Sequence, residues 1–356
     1  MPLTWPEILK ELRRRDLLVA APADGLTPTD IGVDSRRTRP GALYIALRGT
    51  QTDGHRFVAD AVRRGAAAVL VEMPQGAGVP EIVVRDSQDA ALALASAWYG
   101  HPAARLTLIG VTGTNGKTTT TGLIRHLFNE QESAGSIGTL GAFDGHGAAI
   151  ESTAGSLTTP GAVDLQATLA AMVSRGVTHV AMEASSHSLD QRRLDGLSFA
   201  AGVFTNLTRD HLDYHGTMEA YLASKLRLSS LLGSNGVDVV NLDEDSWRAI
   251  PLRSPRVTFG AHPASDVRAS EVMLDSAGSR FRLTGRYGCA HVSLPLLGDF
   301  NVANALAAAA TALGLGRPLA EVAQRLGTSP QVPGRMERIS ETPCVVLRDY
   351  AHTPDA

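Results

Sequence analysis

The sequence predicts an α/β protein: a small α/β N-terminal domain, a central domain with a phosphate loop and a mostly parallel sheet, and a third α/β domain cut short. Three observations predict it. Residues 106–121, LTLIGVTGTNGKTTTT, set an apolar β-prone run before a glycine-bearing loop and a helix opened by Lys117 and Thr118. From Arg105 onward, strand, loop and helix patterns alternate, as in sheets covered by helices on both faces. A shorter alternation of the same kind precedes them and ends at the Gly100-His101-Pro102 break.

In order, Trp5, Ile8, Leu9, Leu12 and Leu17 fall at helical spacing and predict a helix over 4–18. Short strands near 31–34 and 42–46 flank the Pro40-Gly41 turn, and a loop over 48–54 leads into a helix near 55–65. Strands at 67–71 and 82–84 and a helix at 89–99 complete the first domain, 1–102. The central domain, 103–335, has strand patterns at 106–111, 179–183, 201–206 and 237–241, with helices at 118–129, 163–175 and 218–232. Residues 256–297 alternate in polarity and read as a β excursion turning at 276–279; an alanine-rich helix opens after Gly298. The strand begun near Cys344 belongs to 336–356, the opening of a truncated third domain, so a longer protein is expected.

Bulk properties narrow the function. A length of 356 residues suits two or three domains, and 44% apolar residues fill real cores. A net charge of −3 gives no support to nucleic-acid binding, which calls for basic faces. No apolar run reaches the roughly 20 residues of a membrane span, and the N-terminus carries no leader pattern. A cytoplasmic, monomeric enzyme is expected, with Cys289 and Cys344 as reduced structural thiols. The chain has 33 lysines and arginines, yet lysine appears only as Lys10, Lys117 and Lys225. Such a chain keeps lysine where guanidinium cannot serve: at a phosphate loop, or where a neutral amine must react.

The chemistry clusters at predicted strand ends, where ligands sit in parallel sheets. In the loop Gly113-Thr114-Asn115-Gly116, backbone N–H groups and a helix N-terminus face an anion, Lys117 neutralises phosphate charge, and a Thr118 hydroxyl suits Mg²⁺. The strict phosphate-loop spacing asks for glycine where this chain has Val111. Glu183 ends the second central strand as a candidate Mg²⁺ ligand, the alternative being a solvated acid. His187, His211 and His215 follow strand ends too, each individually weak. Lys225 shares a helix face with Tyr221; it either contacts phosphate or, carbamylated by CO₂, becomes an oxygen ligand for a hard cation. Asn301 and Asn304 share another face and either cap their helix or read a base edge.

Taken together, DSRRTRPGALYIALRG with DGHRF, GTNGKTTT, LTTPGAVDLQ, AMEASSHSLDQRR, FTNLTRDHLDYHG, YLASK, GDFNVANALAA, PGRME and DYAHTPDA resemble the Mur ligases over essentially the whole chain. Val111 matches that family's loop; Ser188 and Leu157 depart from the glycine and asparagine of many relatives. The resemblance implies ATP-dependent addition of a diamino acid, meso-diaminopimelate or L-lysine, to the D-glutamate γ-carboxylate of UDP-N-acetylmuramoyl-L-alanyl-D-glutamate through an acyl phosphate. It implies ATP held by residues 113–119, Thr119 included, with Asn301 and Asn304 by adenine and Arg335 and Asp349 reaching the nucleotide. Val33, Ser35, Thr50, Gln51 and Thr52 would hold the uridine diphosphate end, and Thr158, Thr159, Ser185, Gln191 and Arg193 the muramoyl peptide. Thr118 and Glu183 would serve one Mg²⁺, His211 and carbamylated Lys225 another. Another amide ligase of the superfamily, D-Ala-D-Ala-adding or folylpolyglutamate type, or a non-catalytic nucleotide-binding relative, is the alternative.

Overall fold

The computed structural model describes residues 3–49, 52–129, 133–151, 157–252, 255–340, 342 and 344–351. Trp5, Ile8, Leu9 and Leu12 bury one stripe of the helix Trp5–Arg14, which a capping box between Thr4 and Glu7 opens. The helix does not continue to residue 18. Asp16 turns left-handed (φ 55°), and Leu18–Ala20 pairs as an antiparallel strand with Glu81–Val84.

This stretch belongs to a first compact unit of Met1–Arg105, Pro160–Ala171 and Gln191–Gly196. Its sheet runs Leu18–Ala20, Glu81–Val84, Ala68–Val71, Leu43–Ile45, Ile31–Gly32, parallel apart from the first pair. Alternate residues feed two cores: Leu43, Ile45, Leu70 and Ile82 join the helices Trp5–Arg14 and Ser87–Trp98, while Tyr44, Val69 and Val83 meet Val58 and Ala61 on the helix Val58–Arg63.

The second unit comprises Leu106–Thr159, Met172–Asp190 and Leu197–Ala356. Its sheet has a parallel centre, in the order Val267–Asp275, Arg256–Phe259, Leu232–Asn241, Phe199–Phe204, Thr107–Thr112, His179–Glu183, Ala134–Gly138. Antiparallel strands finish both margins: Gly278–Gly285 and Gly288–Leu294 on one side, Gly141–Phe143 and Ala149–Ile150 on the other. The β excursion is therefore split, since Arg256–Phe259 lies inside the parallel sheet and only the later strands form a meander. Helices Lys117–Phe128 and Asp299–Gly314 share one core with Ile109 and Val111, while Gly110 between those two faces Leu228 of the helix Met218–Ser230. That alternation places the helices on opposite faces of the strand Thr107–Thr112.

Glu337–Ser340 and Val346–Arg348 form a two-stranded antiparallel ladder. Cys289 and Cys344 are both free, and both exposed, so the expected structural thiols are surface residues instead. Among the described residues no helix is long and apolar enough to cross a membrane.

Candidate active site

The strand Thr107–Thr112 delivers the phosphate loop at its carboxyl end, and the neighbouring strand braces it. Thr205 Oγ1 donates to the Thr112 carbonyl (3.2 Å) and the Asn115 carbonyl (2.7 Å), while Asn206 Oδ1 accepts from the Asn115 N–H (2.8 Å). This closeness requires Gly113, where a Cβ would stand 1.9 Å from Thr205 Oγ1 on a backbone of φ 148°. Thr114 is fixed as well: its hydroxyl donates to the Thr208 carbonyl (3.1 Å) and stands 3.2 Å from the Tyr221 hydroxyl.

The far side of the loop meets the helix Asp299–Gly314. Asn304 Oδ1 accepts from Thr120 Oγ1 (3.3 Å) and sits where a Cβ at Gly116 would come within 2.3 Å. Asn304 Nδ2 donates to Asn301 Oδ1 (3.1 Å), and Asn301 Nδ2 to the Leu297 carbonyl (2.8 Å). Neither amide caps the helix, whose N-cap is Gly298 without a side-chain bond. The capping alternative is therefore wrong; the pair ties the loop to its neighbour helix.

Two lysines converge on one carbonyl. Lys117 Nζ donates to Gly113 O (3.1 Å) and Thr114 O (2.6 Å), and Lys225 Nζ donates to the same Gly113 O at 2.6 Å. Lys225 is 1% exposed and stands 4.4 Å from the centroid of the Tyr221 ring. Burial lowers the pKa of both. For Lys117 the fields of Glu183 and Asp210 work against burial. Lys225 has Lys117 adding to burial and only Asp210 opposing, so its amine is driven well below its ordinary range.

Glu183, 1% exposed, pairs in register with Val111 beside the loop strand. A residue the sequence reading missed holds its carboxylate: Thr139 donates its N–H to Oε1 (2.9 Å) and its hydroxyl to Oε2 (3.1 Å). The solvated-acid alternative for Glu183 fails on this burial. Thr158 Oγ1 lies 3.3 Å from Thr139 Oγ1, and Thr159 donates to the Glu183 carbonyl (2.7 Å) and to Ser185 Oγ (3.2 Å). A cavity of about 220 Å³ opens beside them, with Thr118, Thr121, Arg125, Phe143 and Glu183 in its lining. Thr119 is buried next to Thr118. Arg335 Nη2 donates to Thr118 Oγ1 (3.3 Å), whereas Asp349 is exposed and accepts from the Met336 N–H (2.9 Å).

His187, His211 and His215 do gather, with Tyr214 and Tyr221. Ring centroids are 4.8 Å apart for His187–His211, 5.5 Å for His187–His215 and 5.2 Å for His215–Tyr221. His211 adopts left-handed backbone (φ 53°) and rests against Asp210 (Nε2 to Oδ2, 3.3 Å); burial lowers its pKa.

In the first unit Ser35 is buried at the start of a 3₁₀ turn capped by Asp34, Val33 packs on the core, and exposed Thr52 accepts from the Gly49 N–H (3.1 Å). Thr50 and Gln51 lie outside the described residues. Arg193 Nε donates to Gln191 Oε1 at 3.0 Å.

A parallel sheet carrying a braced, lysine-bearing loop at a strand end defines a phosphate-loop α/β protein. Residues 111–312 match the model of the Mur ligase middle domain, and residues 28–99 that of the Mur ligase family catalytic domain. The UDP-N-acetylmuramoyl-L-alanyl-D-glutamate--2,6-diaminopimelate ligase of Geobacillus kaustophilus (strain HTA426) is 43% identical over 334 residues, 91% of this chain and 68% of its own length. The protein of the same name from Pseudomonas aeruginosa (strain PAO1) is 41% identical, over 100% of this chain and 72% of its own length. A solved structure with that name superposes at a TM-score of 0.80 with 31% identity, covering 100% of this chain and 72% of that one. MurF from Acinetobacter baumannii, at 24% identity and a TM-score of 0.72, shares the fold. The chain belongs to the Mur ligase family and is an ATP-dependent ligase.

Proposed function

We propose that this ligase adds a diamino acid, diaminopimelate by the names of its relatives, to the D-glutamate γ-carboxylate of UDP-N-acetylmuramoyl-L-alanyl-D-glutamate in peptidoglycan synthesis. It works in the cytoplasm as a monomer, with the nucleotide end of the substrate on residues 1–102 (Val33, Ser35 and 50–52) and ATP on residues 103–335. The observation that carries this reading is the convergence of Lys117 and Lys225 on Gly113 O beside buried Glu183.

The residues present fit Mg²⁺. Thr118 and Glu183 line one cavity with hydroxyl and carboxylate oxygens, the donors a hard cation takes. Among the described residues no three His, Cys, Asp or Glu are grouped for a metal, which suits an ion completed by phosphate oxygens and water. His211 and carbamylated Lys225 would hold a second ion. Lys225 suits that conversion because its amine is buried and biased toward the neutral, CO₂-reactive form. Bound Mg²⁺ supplies charge neutralisation across the phosphoryl group.

The substrate carboxylate attacks the γ-phosphorus of ATP; the bond to the bridging oxygen breaks, ADP leaves, and an acyl phosphate forms. Loop N–H groups and Lys117 hold the phosphates in line. The diamino acid's amine then adds to the acyl carbon, phosphate departs, and the amine's proton passes to solvent. Asn301 and Asn304 border the adenine, while Arg335 and Asp349 approach the nucleotide from the following segment. Thr158, Thr159, Ser185, Gln191 and Arg193 bind the muramoyl peptide. Phosphate release measured with ATP, the UDP-muramoyl dipeptide and diaminopimelate tests the reading. Release independent of the dipeptide, or none at all from the full-length protein, sinks it.

A further inference from the structure

Arg192 lies between two residues of the proposed substrate site, Gln191 and Arg193, yet its side chain turns to neither. Its backbone is left-handed (φ 58°), a conformation side chains rarely adopt. Three carboxylates surround its guanidinium: Nη1 donates to Asp86 Oδ2 (3.1 Å), Nη2 to Asp89 Oδ1, and Nε to Asp195 Oδ2 (3.1 Å). Asp86 caps the helix Ser87–Trp98 by accepting from the Asp89 N–H (2.8 Å), so that helix's first turn presents two of the three acids. A planar guanidinium meets three acceptors in three directions at once, which an ammonium cannot do as rigidly. Beside this knot, the Arg193–Gln191 bond at 3.0 Å draws together the residues on either side of the left-handed turn.

We propose that Arg192 is a positioning residue: its clamp on Asp86, Asp89 and Asp195 holds the left-handed turn that sets Gln191 and Arg193 side by side for the muramoyl substrate. The proposal rests on the substrate reading above, and the test separates the two. Calorimetry gives the Kd of this chain for UDP-N-acetylmuramoyl-L-alanyl-D-glutamate and, separately, for ADP. Arg192→Ala weakens the muramoyl ligand about tenfold and leaves ADP within about twofold, because the displacement is local. Arg192→Gly, which relieves the backbone but removes the clamp, weakens it as much, and Arg192→Lys falls between. Should Arg192→Ala melt too early for binding to be read, Asp195→Asn loosens one arm and shows the same selective loss. Arg193→Ala is the control: if it binds the muramoyl ligand normally, the substrate reading fails. If Arg193→Ala weakens binding while Arg192→Ala and Arg192→Gly bind like the parent, or if ADP affinity falls equally, the clamp is overturned.

Discussion

The helices Lys117–Phe128 and Met218–Ser230 approach the same carbonyl, Gly113 O, with the same kind of side chain, and make opposite uses of it. Lys117 opens its helix with Glu183 and Asp210 both opposing the effect of burial and Arg335 adding to it. Lys225 sits mid-helix behind Tyr221, with Lys117 as a like-charged neighbour and Asp210 alone opposing. Both amines are pushed below the ordinary lysine range, Lys225 well below it. Lys225 is buried and Lys117 half-buried, and different charges surround each.

The largest effect should come from removing each lysine in turn. Lys117→Ala and Lys225→Ala each cost about a thousandfold in turnover, but only the first should also lose ADP affinity in calorimetry. Short carboxylic acids added to Lys225→Ala should restore part of the rate and do nothing for Lys117→Ala. Equal rescue of both, or neither, breaks the contrast. Next comes the acid that separates the two: Thr139→Val removes the hydroxyl bond to Glu183 Oε2 while keeping the backbone N–H on Oε1, and should cost roughly tenfold, with a raised Mg²⁺ requirement in a titration, whereas Thr139→Ser should stay near the parent. Tyr221→Phe keeps the ring under Lys225 but loses the 3.2 Å contact with Thr114, so a loss of about fivefold or less is expected in initial rates.

The smallest effect is on stability. The Lys225 pKa is lower folded than unfolded, so the folded state binds that proton less readily and is penalised wherever the unfolded amine is charged. Lys225→Met in CO₂-free buffer should therefore raise the melting midpoint by a few degrees at neutral pH or below. That gain should shrink as pH rises from the lowered folded value toward the ordinary 10.5. A gain constant across that range would show that the Lys225 proton is not linked to folding, the amine titrating alike in the folded and unfolded chain.

The phosphate loop was legible because strand, glycines, Lys117 and Thr118 are contiguous, and Lys225 because lysine is scarce in this chain. Thr139 was not. It follows Ala134–Gly138, a strand of small residues with no alternating pattern, and reaches Glu183 only through the pairing of that strand with His179–Glu183. Thr205 and Asn206 were read as a strand end, but their role as a brace depends on register with Thr107–Thr112, which no local pattern encodes. The first helix was overextended for a similar reason: Leu17 keeps the helical spacing while the neighbouring Leu18 is claimed by the strand Glu81–Val84, far along the chain.

The contact between Asn304 and Gly116 bears on how such a loop can be inherited or moved. With Asn304 Oδ1 at 2.3 Å from any Cβ placed there, the eight or so residues of the loop have one of their walls supplied by a helix nearly two hundred positions away. A graft of the loop into another α/β scaffold would arrive without that wall. The motif is portable as text but not as an object, and a transplanted copy should hold its shape only if the helix Asp299–Gly314 travels with it.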